Sequence, residues 1–259
     1  MTRTMTTNGE KSFVDTPCFS IYFESGSGGN FLTTLLYKFL YPSIYAKLSK
    51  NGNSHNDFHV LFKNYEFLPL LVPEDNLENF DIKLLQEINP IDKQRPVIYS
   101  CHGTPNFDKF FSVFPKGKII IIDVPKEYKL RVMLNHFYKT FYEGFNKQAS
   151  VTTQWANFMQ KKYHFLKDID DPTLLSSEEI KNLCAQFPVS DRTYTIPKKY
   201  IKQVEIISYC DIINDKNKVL KILSILTNKL ITQDIVDFYD QYLIKQDNLV
   251  KTKMPWMVT

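Results

Sequence analysis

No apolar run in the sequence approaches the roughly 20 residues that a helix needs to cross a bilayer. The first residues, MTRTMTTNGEKSFVDTP, are polar and lack the apolar centre of a secretory leader. The expectation is a soluble, cytoplasmic protein with no membrane span. The four cysteines (Cys18, Cys101, Cys184 and Cys210) form no C-x-x-C pair. Three of them lie in or beside apolar runs, which suits buried, reduced thiols. The five histidines show neither H-E-x-x-H nor finger spacing, so no metal site is expected. A G-x-S-x-G nucleophile elbow is also missing. The net charge of +4 is spread along the chain without a Lys/Arg block. That balance permits anionic ligands and argues against nucleic acid as a partner.

The hydrophobic fraction of 43% and aromatic fraction of 14% are ample for a packed core. At 259 residues the chain suits one large domain with an insertion. Residues 1–16 read as an N-terminal arm, 17–250 as the domain and 251–259 as a tail. Strands are expected over Cys18 to Phe23, around FHVLF, over RPVIYSCHGTP (95–105), over GKIIIIDVP (117–125) and along QVEIISYCDII. Helices are expected from Asn30 to Leu40, around NFDIKLLQEI, from Asn106, from Glu127 to Tyr142, and over KVLKILSILT and TQDIVDFYDQYLIKQ. Residues 145–195 read as a helical insertion. Four consecutive isoleucines fit a strand buried on both faces. Strands alternating with helices predict an α/β fold, a P-loop-like three-layer sandwich with a mainly parallel central sheet.

The densest chemistry lies in CFSIYFESGSGGNFLTTLLYKFLYP. An apolar strand breaks into Ser and Gly, and an amphipathic helix follows at once. Gly26, Gly28 and Gly29 lack a Cβ and allow close approach of an anion; Ser25 and Ser27 add hydroxyls, and Asn30 opens the helix. The same composition also makes ordinary turns, and the residues alone leave both readings open. The nucleotide-kinase form needs G-x-x-x-x-G-K-[ST], whereas Gly-Asn-Phe stands here, so ordinary nucleotide hydrolysis is not expected.

His102 follows the VIYSC run beside Gly103. At a strand's carboxyl end an imidazole can deprotonate a hydroxyl, or serve only as a structural histidine. On the helix after IIIIDVP, Arg131 and Asn135 share one face at i, i+4 spacing. That face suits a phosphate, or equally a solvated polar ladder. Glu24 and Asp123 end two of the strands and offer a carboxylate pair only speculatively.

The order of these segments resembles the sulfotransferase superfamily. ESGSGGNFLTTLL is similar to the family's first motif, P-K-S-G-T-T-[WF]-L. IYSCHGTP is similar to K-[TS]-H-L-P, IIIIDVPKEYKLRVMLNHFYKT to I-x-x-x-R-N-P-x-D-x-x-x-S, and VEIISYCDIINDKNKVLKILSIL to the late Tyr-x-Asp-Leu element through Tyr209 and Asp211. The resemblance implies transfer of a sulfuryl group from 3′-phosphoadenosine-5′-phosphosulfate (PAPS) to a hydroxyl of a carbohydrate or small-molecule acceptor. It implies His102 as base, the backbone of Gly26 to Asn30 with Ser25 and Ser27 around the phosphosulfate, and Arg131 with Asn135 at the 3′-phosphate. Trp155 and Tyr163 would line the acceptor wall. Glu24 falls near the place of the motif lysine, and Asp123 takes the place of the motif arginine. These departures leave two other readings open: a catalytically inactive binding or structural protein of this fold, or another phosphate-ligand P-loop enzyme.

Overall fold

Ile119 to Ile122 form the middle of a strand and are all but inaccessible to solvent, as an apolar run without alternation requires when both faces of a sheet are covered. The computed structural model describes residues 18–24, 26–40, 97–101, 104–137, 164, 175–186 and 194–253. In chain order these form β1 (Cys18–Tyr22), α1 (Gly29–Leu40), β2 (Val97–Cys101), α2 (Phe107–Val113), β3 (Lys118–Asp123), a 3₁₀ turn (Lys126–Tyr128), α3 (Lys129–Phe137), α4 (Ser177–Ala185), a second 3₁₀ turn (Lys198–Tyr200), β4 (Val204–Ser208), α5 (Tyr209–Asn214), α6 (Lys216–Thr227) and α7 (Gln233–Lys253). The expected arm, FHVLF strand and NFDIKLLQEI helix lie outside the described residues, as do Ser25, His102, Trp155 and Tyr163.

The chain divides into two units. One comprises Met1–Phe23, Gly28–Asp123 and Tyr194–Ile244; the other comprises Glu24–Ser27, Val124–Thr193 and Lys245–Thr259.

In the first unit the sheet runs β2-β1-β3-β4, with every pair parallel. This is the α/β fold with a parallel central sheet that the strand–helix alternation predicts. On one face Cys18, Tyr22, Ile119, Ile121 and Val204 pack with Phe110, Phe111 and Phe114 of α2 and its C-terminal end. Their alternates, Phe19, Ile21, Ile120, Ile122 and Ile207, are buried as well, and α1 lies against β1 and β2. Burying each such side chain stabilises the fold by about 1.5–3 kcal/mol. Burial also pushes the Cys18 thiol well above its ordinary pKa and so keeps it protonated.

Helix α1 is buried nearly all round, its threonines included. Thr33 and Thr34 tolerate this because their hydroxyls donate back to the carbonyls of Gly29 and Asn30, each at 2.8 Å. Helix α2 starts where Asn106 accepts from the N–H of Lys109 at 3.1 Å.

The run QVEIISYCDII is not one strand. β4 ends at Ser208, whose hydroxyl accepts from the N–H of Cys210 at 3.2 Å and caps α5. Tyr209 and Asp211 therefore sit on a helix, because a β-rich apolar run does not by itself mark where a cap intervenes. The helix expected over 127–142 also begins differently, with a 3₁₀ turn before α3. α7 continues through Lys253, past the position expected to start the tail. No helix among the described residues is long and apolar enough to cross a membrane.

In the second unit α3 packs with α4. Ser176 opens α4 with a reciprocal capping box: Glu179 Oε2 accepts from the N–H and hydroxyl of Ser176 at 2.8 and 2.7 Å, and Glu179 N–H donates to Ser176 Oγ at 3.3 Å. These hydrogen bonds hold the Glu179 carboxyl below its ordinary pKa.

Candidate functional site

The strand order places the topological switch at β1 and β3, since the chain moves from β1 to β2 on one side and to β3 on the other. Beyond the carboxyl ends of such a strand pair, open α/β sheets bind their ligands. The chain leaves β1 into the Gly/Ser loop and leaves β3 towards α3. Glu24–Ser27 and Val124–Phe137 both belong to the second unit, and they meet there.

The meeting point is Gly26, at φ +90°. A Cβ on this residue would collide with the carbonyl oxygen of Val132 and lie 2.9 Å from the backbone nitrogen of His136. Only a glycine offers both the left-handed conformation and the space. Asn135, fully buried, donates from Nδ2 to the Gly26 carbonyl at 3.4 Å. The turn closes on itself through Ser27, whose N–H and hydroxyl both donate to the Glu24 carbonyl, at 2.9 and 2.7 Å. Thus the Ser27 hydroxyl proton is engaged within the loop, and the Asn135 amide is engaged on its backbone.

One turn before Asn135, Arg131 carries two guanidinium nitrogens, Nε and Nη2, that are inaccessible to water and have no hydrogen-bond partner among the described residues. A buried charged donor without an acceptor costs free energy of about 1–3 kcal/mol or more. A bound oxyanion would remove that cost by accepting both hydrogens, the fork geometry in which Arg engages phosphate.

In the first unit the loop continues through Gly28, at φ +83°, into Gly29 and Asn30, the first two residues of α1. The first turn of α1 contains no acidic residue, so nothing on the helix itself neutralises its positive end. The ring of Phe23 lies flush on Gly29, and Tyr242 of α7 abuts Gly28. Nothing in the sequence around Tyr242 singles it out, because it reads as one more apolar position in an amphipathic helix.

β2 ends at Cys101, paired with Tyr22 at the end of β1; His102 follows immediately, outside the described residues. Glu24 is half-buried in the loop and Asp123 ends β3, also half-buried.

No protein-family model matches the chain, and no curated protein does. Among solved structures it is similar to a sulfotransferase from Alicyclobacillus acidocaldarius, at 12% identity over 90% of this chain and 93% of that one, with a TM-score of 0.37. It is similar to a retinol dehydratase solved with androsterone and the inactive cofactor PAP, at 12% identity over 89% of this chain and 64% of that one, with a TM-score of 0.37. The sulfotransferase domain from the curacin biosynthetic pathway is 11% identical over 86% of this chain and 78% of that one, with a TM-score of 0.32. The chain is similar to sulfotransferases at this distance, without a matching family model.

Proposed function

We propose that the protein is a divergent sulfotransferase-like enzyme that moves a sulfuryl group from PAPS to a hydroxyl of a carbohydrate or small-molecule acceptor. The observation that carries this reading is Arg131, whose buried Nε and Nη2 donors lack a partner among the described residues, on a helix that meets Gly26 of the Gly/Ser loop. The donor presents a phosphosulfate and a separate 3′-phosphate, so it needs two anion contacts. In this reading the backbone amides of Gly26 to Asn30, with Ser25, hold the phosphosulfate, and Arg131 holds the 3′-phosphate. Ser27 and Asn135 serve them by fixing the loop, through their bonds to Glu24 and Gly26.

His102 is assigned as the base. It takes the proton of the acceptor hydroxyl as that oxygen bonds to sulfur, while the bond from sulfur to the 5′-phosphate oxygen breaks and releases adenosine 3′,5′-bisphosphate. Loop amides and the helix end replace the lysine that Glu24 displaces, since preorganised donors stabilise charge where it develops.

Thermal melting of the protein with adenosine 3′,5′-bisphosphate tests this. At 100 times its Kd a ligand adds about 2.7 kcal/mol to folding stability, a readily measured rise in Tm. An unchanged Tm at millimolar ligand would sink the donor assignment. His102→Ala should retain the shift and lose transfer; a shift without transfer in the wild type would instead favour an inactive binding protein.

A further inference from the structure

Tyr242 lies far from the Gly/Ser loop in sequence, yet its hydroxyl stands 2.8 Å from where a Cβ of Gly28 would be. The side chain is buried. Its ring stacks on Phe31, the third residue of α1, at 3.7 Å between centroids and 6° between planes. Phe238 and Tyr239, on the same helix, close over the same Phe31 ring at 5.7 and 4.9 Å. Tyr239 donates its hydroxyl to the Ile212 carbonyl at 2.8 Å, and burial first, then Asp215 and Asp211, push its pKa far up, so it remains a donor. Lys38–Asp234 at 2.6 Å and Lys216–Asp240 at 2.5 Å tie the same stretch of α7 to α1 and α6. Tyr242 is therefore held in place by its stack on Phe31 within a helix tied to α1 and α6.

Glycine is the residue least able to keep its own conformation. At φ +83°, Gly28 sets the direction in which the amides at the head of α1 point, and it has no side chain to anchor it. The Tyr242 hydroxyl occupies that missing volume, with the methyl of Ile212 3.9 Å from the same point. We infer that Tyr242 is a positioning residue for the anion-binding turn: it is the wall that holds Gly28 in its left-handed conformation and so preorganises the α1 amides for a phosphate-type oxyanion. The choice of anion rests on the donor reading above; the wall does not.

Tyr242→Phe keeps the ring and its stack on Phe31 and removes only the hydroxyl. Two measurements on the full chain decide its role. Hydrogen exchange at the amides of Gly28 to Phe31 should rise several-fold in the variant with Tm nearly unchanged. Affinity for adenosine 3′,5′-bisphosphate should fall about tenfold, as loss of preorganisation predicts. A purely structural tyrosine would lower Tm and leave both the local exchange pattern and the affinity alone, and that result would overturn the inference. If the wild type binds no bisphosphate, the donor assignment fails, yet unchanged exchange at Gly28 to Phe31 would still refute the wall and raised exchange would still support it. In Gly28→Ala the new methyl meets the hydroxyl, so adding Tyr242→Phe should restore part of the lost Tm. Strict additivity of the two changes would also refute the contact.

Discussion

Lys38 and Arg131 are both cations on α/β crossover helices, and the fold treats them differently. Lys38, in α1, is 3% exposed, and it meets Asp234 at 2.6 Å and the Phe238 ring at 5.3 Å from the centroid. Its charge is satisfied inside the chain and fastens α1 to α7. Arg131, in α3, buries Nε and Nη2 with no hydrogen-bond partner among the described residues. The first is a structural clamp, whose Asp234 is open to water. The second carries two buried donors without an acceptor among the described residues, on the helix that meets Gly26. The contrast separates a cation whose partners lie within the chain from one whose buried donors have none among the described residues.

Three measurements break or sharpen that contrast. The largest effect is expected from Arg131→Met. Loss of two charge-assisted hydrogen bonds at about 1.5–3 kcal/mol each should weaken adenosine 3′,5′-bisphosphate by 100-fold or more. The ligand-free protein should melt at an equal or higher temperature, because two buried donors without an acceptor among the described residues disappear. A large fall in ligand-free Tm would make Arg131 a second clamp. Lys38→Met is the converse, with stability lowered by about 1–2 kcal/mol in denaturant titration and ligand affinity unchanged.

The smallest effect lies at the surface, in Asp108. Hydrogen bonds from Lys199 and then Tyr200 hold its carboxyl below the usual carboxylate range. A depressed folded-state pKa contributes stability that is present above the unfolded value, about 3.9, and is lost as pH falls through the folded one. The stability gap between wild type and Asp108→Asn should therefore be steady above about pH 5 and close below pH 4. A gap that persists at pH 2 would show that the pair acts by shape and not by charge.

The local elements were largely legible. Apolar runs flanked by Gly or Pro place β1 and β3, spacing places α1, and the helix expected from Asn106 is α2, capped by that residue. What misled was continuity: QVEIISYCDII is apolar throughout, so the cap at Ser208 is hidden inside it. The candidate site was half legible. Gly26, Gly28 and Arg131 stand out by residue type, but the engagement of Ser27 with Glu24 and of Asn135 with Gly26 does not. Tyr242 could not be read at all, because one aromatic on a helix face looks like another until its neighbours are known.

By itself the sequence determined where the chain is apolar on both sides, where it turns and where glycine permits a left-handed backbone, since these follow from side-chain size, period and the missing Cβ. Only the tertiary structure decided which helix the loop leans on, which cation is answered and which ring stands behind Gly28. Those outcomes depend on residues far apart in the chain, and no local propensity encodes which of many equivalent surfaces will meet.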